Sequence, residues 1–277
     1  MKKVKLPTGA MVPAFGLGTW KLGDEPTKRQ QEIRALRLGL DLGACLIDTA
    51  EMYGDGRAEQ LVREAITGRR TEVFLVSKVL PQNASRVGTK AACQQSLRRL
   101  GTDCIDLYLL HWRGDIPLAE TMEAFLDLQQ AGDIICYGVS NLDLSEMTAL
   151  WEVPGGKGIV SNQILYNLSR RNIEWDLLPW LRERQVPVMA YSPLEQARLV
   201  SEPRLIDFAR NCGMTPAQVS LAWLLSKPDI IVIPKTSHEE RLRENLGALE
   251  HELTTAQLRQ LDGLFPPPKR AGPLEML

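Results

Sequence analysis

The feature that most constrains this chain is a repeated alternation between short apolar runs and segments with helical apolar spacing. The runs are Phe15–Gly18, Leu46–Ile47, Val73–Val76, Ile105–Leu110, Ile134–Val139, Ile159–Val160, Val186–Ala190 and Ile230–Ile233. Each is bounded by polar or turn residues, as strands buried on both faces of a parallel sheet are. Between them Ile33, Leu36 and Leu40 share a helix face, as do Cys93, Leu97 and Leu100. Leu118, Met122 and Phe125 repeat the pattern, then Leu242, Leu246 and Leu249. Such units recur at intervals of about thirty residues with no linker between halves. The pattern predicts an α/β fold, a single (β/α)8 TIM barrel spanning residues 1–277 as one domain.

Val4–Leu6 and Met11–Val12 flank Pro7-Thr8-Gly9-Ala10 and predict a hairpin within about residues 1–13. Thr254–Leu264 predicts an extra C-terminal helix, and Phe265-Pro266-Pro267-Pro268 begins a coil tail running to 277. The competing arrangement is a doubly wound open sheet. A dinucleotide-binding version of it would open on G-x-G-x-x-G, but Gly16-Leu17-Gly18 leads into Thr19-Trp20-Lys21 without the third glycine.

The partner class is bounded by charge. With 33 basic and 34 acidic residues, the net charge of −1 argues against general attraction to nucleic acid or anionic membrane. No apolar run approaches the ~20 residues of a membrane span. Lys2, Lys3 and Lys5 precede Pro7, Thr8 and Gly9 rather than an apolar stretch, so no secretory leader is expected. The five cysteines (Cys45, Cys93, Cys104, Cys136 and Cys212) are far apart and form no Cys-x-x-Cys. Reduced thiols, a cytoplasmic address and a monomer acting on a small molecule are the expectation.

In a barrel, residues at the C-terminal ends of the strands converge on one mouth, where the chemistry lies. Asp48, Lys78 and His111 follow three successive runs, and Tyr53 lies shortly beyond Asp48. Singly, each has an ordinary explanation: a helix cap, a solvated lysine, a structural histidine, a packed ring. Together they form a set. A buried lysine beside a buried aspartate stays charged, because the pair offsets the desolvation of either ion. The ammonium is then expected to lower the Tyr53 phenol from its usual value near ~10, making it a general acid. His111 would donate a hydrogen bond to a carbonyl oxygen. Neither metal-ligand spacing nor a G-x-S-x-G elbow occurs.

The motifs resemble the aldo/keto reductase family over nearly the whole chain. They run Phe15-Gly16-Leu17-Gly18-Thr19-Trp20, then Leu46-Ile47-Asp48-Thr49-Ala50-Glu51-Met52-Tyr53-Gly54. Ser96-Leu97-Arg98-Arg99-Leu100-Gly101-Thr102-Asp103 leads into Ile105-Asp106-Leu107-Tyr108-Leu109-Leu110-His111-Trp112. Tyr137-Gly138-Val139-Ser140-Asn141, Ala190-Tyr191-Ser192-Pro193-Leu194 and Ile233-Pro234-Lys235-Thr236 complete the set. The short chain and the Asp-Thr-Ala-Glu-Met-Tyr wording are similar to small bacterial members that reduce methylglyoxal and related carbonyls. Cys104 and Arg63 depart from the usual family residues, both away from the mouth.

The resemblance implies NADPH-dependent carbonyl reduction with Asp48, Tyr53, Lys78 and His111 as the catalytic tetrad. It implies that Ser140, Asn141 and Gln163 hold the nicotinamide carboxamide and that Tyr191 stacks on the ring. Ser192 and Leu194 would follow the pyrophosphate, with Pro193, Gly18, Thr19 and Trp20 also at the cofactor. Lys235 and Thr236, after Pro234, would hold the 2′-phosphate with Arg241, and Glu244 and Asn245 the adenine. An anion at Arg241 also fits the start of a helix, where backbone N–H groups point outward.

Trp20, Tyr53, His111 and Trp112, with Met52, are the expected substrate wall. Connections after Trp112 and Pro193 are short, so the expected site is open and suited to small carbonyls. Arg113 and Arg198 are either solvated loop charges or carboxylate contacts at the mouth. Two other functions fit the same residues: a Schiff-base aldolase using Lys78, and a non-catalytic NADPH-binding sensor or interaction subunit.

Overall fold

The computed structural model describes residues 2–277. A two-stranded antiparallel hairpin, β1 (Lys3–Lys5) and β2 (Met11–Pro13), comes first. Its buried side chains, Val4, Leu6 and Val12, join the core of the barrel. Eight parallel strands follow: β3 (Gly16–Gly18), β4 (Leu46–Asp48), β5 (Phe74–Val79), β6 (Ile105–Leu110), β7 (Ile134–Ser140), β8 (Asn162–Leu165), β9 (Val188–Tyr191) and β10 (Ile230–Val232).

Each barrel strand pairs with the next in sequence. The seam between β10 and β3 is narrow: Phe15 bridges Val232, Val232 N–H donates to Ala14 O at 2.9 Å, and Gly18 N–H donates to Pro234 O at 3.0 Å. Gly18 is required there, since a Cβ would lie 2.8 Å from the Ile233 carbonyl oxygen.

The helices are α1 (Arg29–Asp41), α2 (Arg57–Ile66), α3 (Arg86–Leu100), α4 (Leu118–Ala131), α5 (Leu144–Trp151), α6 (Leu177–Glu183), α7 (Pro203–Asn211), α8 (Pro216–Leu225), α9 (Glu239–Gly247) and α10 (Thr255–Leu264). Local signals set several of their starts. Asp143 with Glu146, Thr215 with Gln218, and Thr254 with Gln257 form capping boxes that satisfy the first backbone donors of α5, α8 and α10. Helix α9 has no side-chain cap at its His238 start. None of the described helices is long and apolar enough to cross a membrane.

The sequence expectation of a (β/α)8 barrel with a hairpin and a C-terminal helix is met, with one strand displaced. Ile159 and Val160 are buried but precede the strand, which starts at Asn162. The true strand opens on two buried amides, and its polarity hides it from a search for apolar runs. Asn162 Nδ2 donates to Leu142 O at 2.9 Å, which satisfies the donor half of the buried amide. Four other strands also extend past their apolar runs, so Asp48, Lys78, Ser140 and Tyr191 lie within β4, β5, β7 and β9.

Candidate active site

Asp48 ends β4, Lys78 is the penultimate residue of β5, and His111 follows β6 directly. Parallel register aligns these strand ends, with Asp48 opposite Val76 and Lys78 opposite Leu109. Tyr53 arrives from the loop after β4. The Lys78 ammonium is fully buried and donates to Asp48 Oδ1 at 2.8 Å, Asp48 Oδ2 at 2.9 Å, Thr49 O at 2.8 Å and Tyr53 Oη at 3.2 Å. The Tyr53 ring meets His111 edge-on, with centroids 5.8 Å apart. Four residues placed by three successive βα units therefore form one cluster.

The electrostatics refine the sequence expectation. Burial holds the Tyr53 phenol well above its ordinary value, and the Asp48 carboxylate adds to that effect. The expected lowering by Lys78 is not found: Asp48 engages the ammonium with both oxygens and offsets much of its field at the phenol. Burial lowers the Lys78 ammonium itself, opposed by Asp48. His111 is pushed down to about 2 by burial, with Lys78 adding, so its imidazole is neutral at physiological pH. The result is a phenol that keeps its proton until a stronger acceptor arrives. Because Lys78 donates to the phenol oxygen, it also steadies the charge left when that proton departs.

These groups open into a cavity of ≈ 830 Å³. Gly18, Thr19, Trp20, Asp48, Tyr53, His111, Trp112, Ser140, Asn141 and Gln163 line it, as do Tyr191, Ser192, Pro193, Leu194, Pro234, Lys235, Thr236, Arg241, Glu244 and Asn245. Lys78 lies behind this wall. Asn141 Nδ2 donates to His111 O at 3.2 Å and to Ser140 Oγ at 3.1 Å, and the Tyr191 hydroxyl donates to Asn141 Oδ1 at 2.9 Å. Met52 lines the cavity too, whereas Arg113 and Arg198 do not. Arg198 sits instead 3.6 Å from Glu195, and Arg113 is exposed.

Sequence reasoning missed Lys21, Gln196, Ala197, Val200, Thr215–Ala217, Met276 and Leu277 as lining residues. The last two give the site a wall that short connections did not suggest, so it is less open than expected. No local pattern marks Met276 and Leu277, because only the path of the tail brings them back. Thr215 and Pro216 were readable as a helix start, though not as part of a site.

At the far end of the cavity, Lys235 is lowered by partial desolvation, and neighbouring Lys21 and Lys28 press in the same direction. Neither Lys235 nor Arg241 has an acidic partner within ion-pair distance among the described residues. The uncapped start of α9 lies beside them. Unpaired cations next to free backbone donors suit an anion such as a phosphate.

A neutral phenol over a buried ion pair, with an imidazole facing it at a barrel mouth, is an arrangement able to polarise and protonate a carbonyl. The chain belongs to the Aldo/keto reductase family, whose profile matches residues 14–265. It is 46% identical to methylglyoxal reductase YeaE of Escherichia coli, across 100% of this chain and 99% of that protein. An aldo/keto reductase from Klebsiella pneumoniae, crystallised with NADP and acetate, superposes with a TM-score of 0.97 at 49% identity, covering 100% of this chain and 99% of that one. A thermostable aldo-keto reductase, Tm1743, in complex with the inhibitor epalrestat, superposes at 0.88 with 38% identity, covering 95% of this chain and 100% of that one.

Proposed function

We infer that this chain is an NADPH-dependent reductase of small aldehydes and α-dicarbonyls such as methylglyoxal, yielding alcohols. The observation that carries the reading is one cavity with two different ends. One end holds the Tyr53 phenol, buried Lys78–Asp48 pair and neutral His111; the other holds the unpaired Lys235 and Arg241 beside the open start of α9. The similarity to YeaE and to the NADP-bound Klebsiella enzyme supports both the cofactor and the substrate class.

Asp48, Tyr53, Lys78 and His111 are the reacting set. Lys235, Thr236 and Arg241 hold the 2′-phosphate, with Glu244 and Asn245 at the adenine. Ser192, Pro193 and Leu194 follow the pyrophosphate, Gly18, Thr19 and Trp20 flank it, and Tyr191 supports the nicotinamide. Ser140, Asn141 and Gln163 orient its carboxamide. When bound, the nicotinamide supplies the hydride. His111 donates to the carbonyl oxygen and fixes its direction, Trp20 and Trp112 exclude water around it, and Tyr53 delivers the proton. Lys78 then stabilises the phenolate by the contact it already makes.

Other uses of the same residues are less well supported. Each Lys78 hydrogen-bonding direction is taken and the side chain is 0% exposed, which leaves no approach for a Schiff base. A non-catalytic sensor would not need the complete tetrad. The five free cysteines support a reducing, cytoplasmic setting, and a cavity complete within one chain supports a monomer. NADPH turnover across short aldehydes, α-dicarbonyls, keto acids and bulky ketones tests the assignment. The highest kcat/KM is expected with a small dicarbonyl; a bulky ketone in that place overturns the substrate class, and no turnover at all overturns the reaction.

A further inference from the structure

Beyond α10 the chain turns back over the barrel. Arg171 Nη1 donates to Phe265 O at 2.6 Å, and Asn172 Nδ2 donates to Pro273 O at 3.4 Å. The tail then delivers Met276 and Leu277 to the cavity wall. The Leu277 backbone N–H lies within reach of the Tyr191 hydroxyl, which is itself bonded to Asn141. The tail thus ends beside the reacting part of the cavity rather than beside Lys235.

A separate loop, after β9, forms the wall on the nucleotide side. Ser192, Glu195, Gln196 and Ala197 have φ of 46°, 50°, 51° and 72°, a left-handed region that such residues occupy only when their surroundings impose it. What imposes it is visible at Glu195, which is 4% exposed. Its Oε2 accepts from Asn167 Nδ2 at 2.8 Å, and the same amide reaches Ser192 O at 2.9 Å. Its Oε1 accepts from Arg170 Nε at 3.0 Å and Arg170 Nη2 at 2.8 Å. The remaining edge of that guanidinium, Nη1, donates to Glu275 Oε1 in the tail at 2.6 Å.

We propose that Arg170 is a positioning residue that couples the nucleotide-side loop to the C-terminal tail, so that filling one side of the cavity fixes the wall on the other. The inference rests on the NADPH reading of the cavity. One planar fork spans both carboxylates, and each of its edges is oriented by the acid on the other. A nucleotide that settles the Ser192–Ala197 loop therefore holds Arg170 in place and favours the docked tail. Linkage requires the reverse as well. Neither Arg170 nor Glu275 lines the cavity, so their effect runs through the clasp rather than through direct contact.

The test is tryptic cleavage of the full chain at exposed Lys269 and Arg270, with and without saturating NADP+, and with intrinsic fluorescence reporting NADP+ binding in parallel. NADP+ is expected to slow tail cleavage at least about fivefold in the parent, the lower end of ordinary coupling. In Arg170→Met and in Glu275→Gln the tail is expected to be cut quickly in both states, although NADP+ still binds. Arg170→Lys, which keeps the charge and loses the fork, is expected to behave like Arg170→Met. Protection that survives in Arg170→Met overturns the proposal, because the tail would then sense nucleotide without the clasp. Equal cleavage of the parent with and without bound NADP+ also overturns it. Failure of the parent to bind NADP+ overturns the cofactor reading beneath it, which the fluorescence signal separates from the other outcomes. Circular dichroism of each variant distinguishes a loosened tail from a misfolded barrel.

Discussion

Gln163 donates through Nε2 to Asp48 Oδ1 at 2.7 Å, the same carboxylate oxygen that receives the Lys78 ammonium at 2.8 Å. The amide crosses the barrel interior from β8 to β4 and leaves Asp48 with three close donor contacts. A buried carboxylate satisfied in this way is fixed in position as well as in charge. A residue proposed to orient the nicotinamide thereby joins the ion pair beneath Tyr53, the proposed proton donor, in one hydrogen-bond network.

Removing the donated proton while keeping the ring should separate chemistry from binding. Tyr53→Phe is expected to lower kcat for carbonyl reduction by about 10²–10⁴, with the Kd for NADPH unchanged. The parent rate should remain flat from neutral pH upward until the phenol ionises, which burial moves above its ordinary value of about 10. A matching loss of cofactor affinity in Tyr53→Phe would mean that the hydroxyl serves binding instead.

Lys78→Met leaves Asp48 charged and 2% exposed without its cation. Orphaning one member of a buried pair costs about 3–5 kcal/mol, to be read from the urea midpoint. Asp48→Asn with Lys78→Met removes both charges and should recover much of that stability, yet remain inactive. If the double variant is no more stable than the single one, the loss comes from packing and not from the orphaned charge.

The 2′-phosphate assignment predicts an asymmetric effect. Charge-assisted hydrogen bonds contribute about 1.5–3 kcal/mol, so Arg241→Ala should weaken NADPH at least about tenfold at low salt and leave NADH nearly unchanged. Fluorescence titration with each dinucleotide decides it. Equal weakening of both would move Arg241 away from the phosphate.

His111 makes stability depend on pH. Its folded value of about 2 lies below the usual 6.5, so the unfolded chain takes up a proton that the folded chain refuses. Stability from this group is complete above about pH 6.5 and falls as the pH drops toward 2, by up to about 1.4 kcal/mol per pH unit. Urea midpoints at pH 7 and pH 5 should diverge more for the parent than for His111→Phe. An identical decline in both would show that other groups carry the dependence.

The clustering of Asp48, Tyr53, Lys78 and His111 was legible because three apolar runs, each followed closely by a chemically distinct residue, specify strand ends that a barrel brings together. β8 was misplaced because it opens on two buried amides on opposite faces of the strand, Asn162 and Gln163, whose partners, Leu142 O and Asp48, come from other strands or loops. The Tyr53 phenol was expected to move down and instead moves up, since sequence names neighbours without giving the depth at which they sit. Met276 and Leu277 lay in a stretch readable only as coil. What places them is a pair of long-range contacts, Arg171 with Phe265 O and Arg170 with Glu275, that no local rule contains.

The seam between β3 and β10 joins the two ends of the barrel's strand order. Its strands lie roughly two hundred residues apart, so their pairing carries a larger chain-closure entropy than the pairing of sequence neighbours. Asp48, Tyr53, Lys78 and His111 come from three successive βα units and assemble through neighbours. Lys235 and Thr236 reach their place beside Gly18 only when the seam shuts, as the Gly18 to Pro234 hydrogen bond shows. The residues proposed to deliver the proton are thus held by pairing between sequence neighbours, and those proposed to hold the nucleotide by closure of the whole barrel. Holding a dinucleotide across Gly18 and Lys235 would therefore require the seam to be shut, whereas gathering Asp48, Tyr53, Lys78 and His111 requires only β4, β5 and β6 side by side.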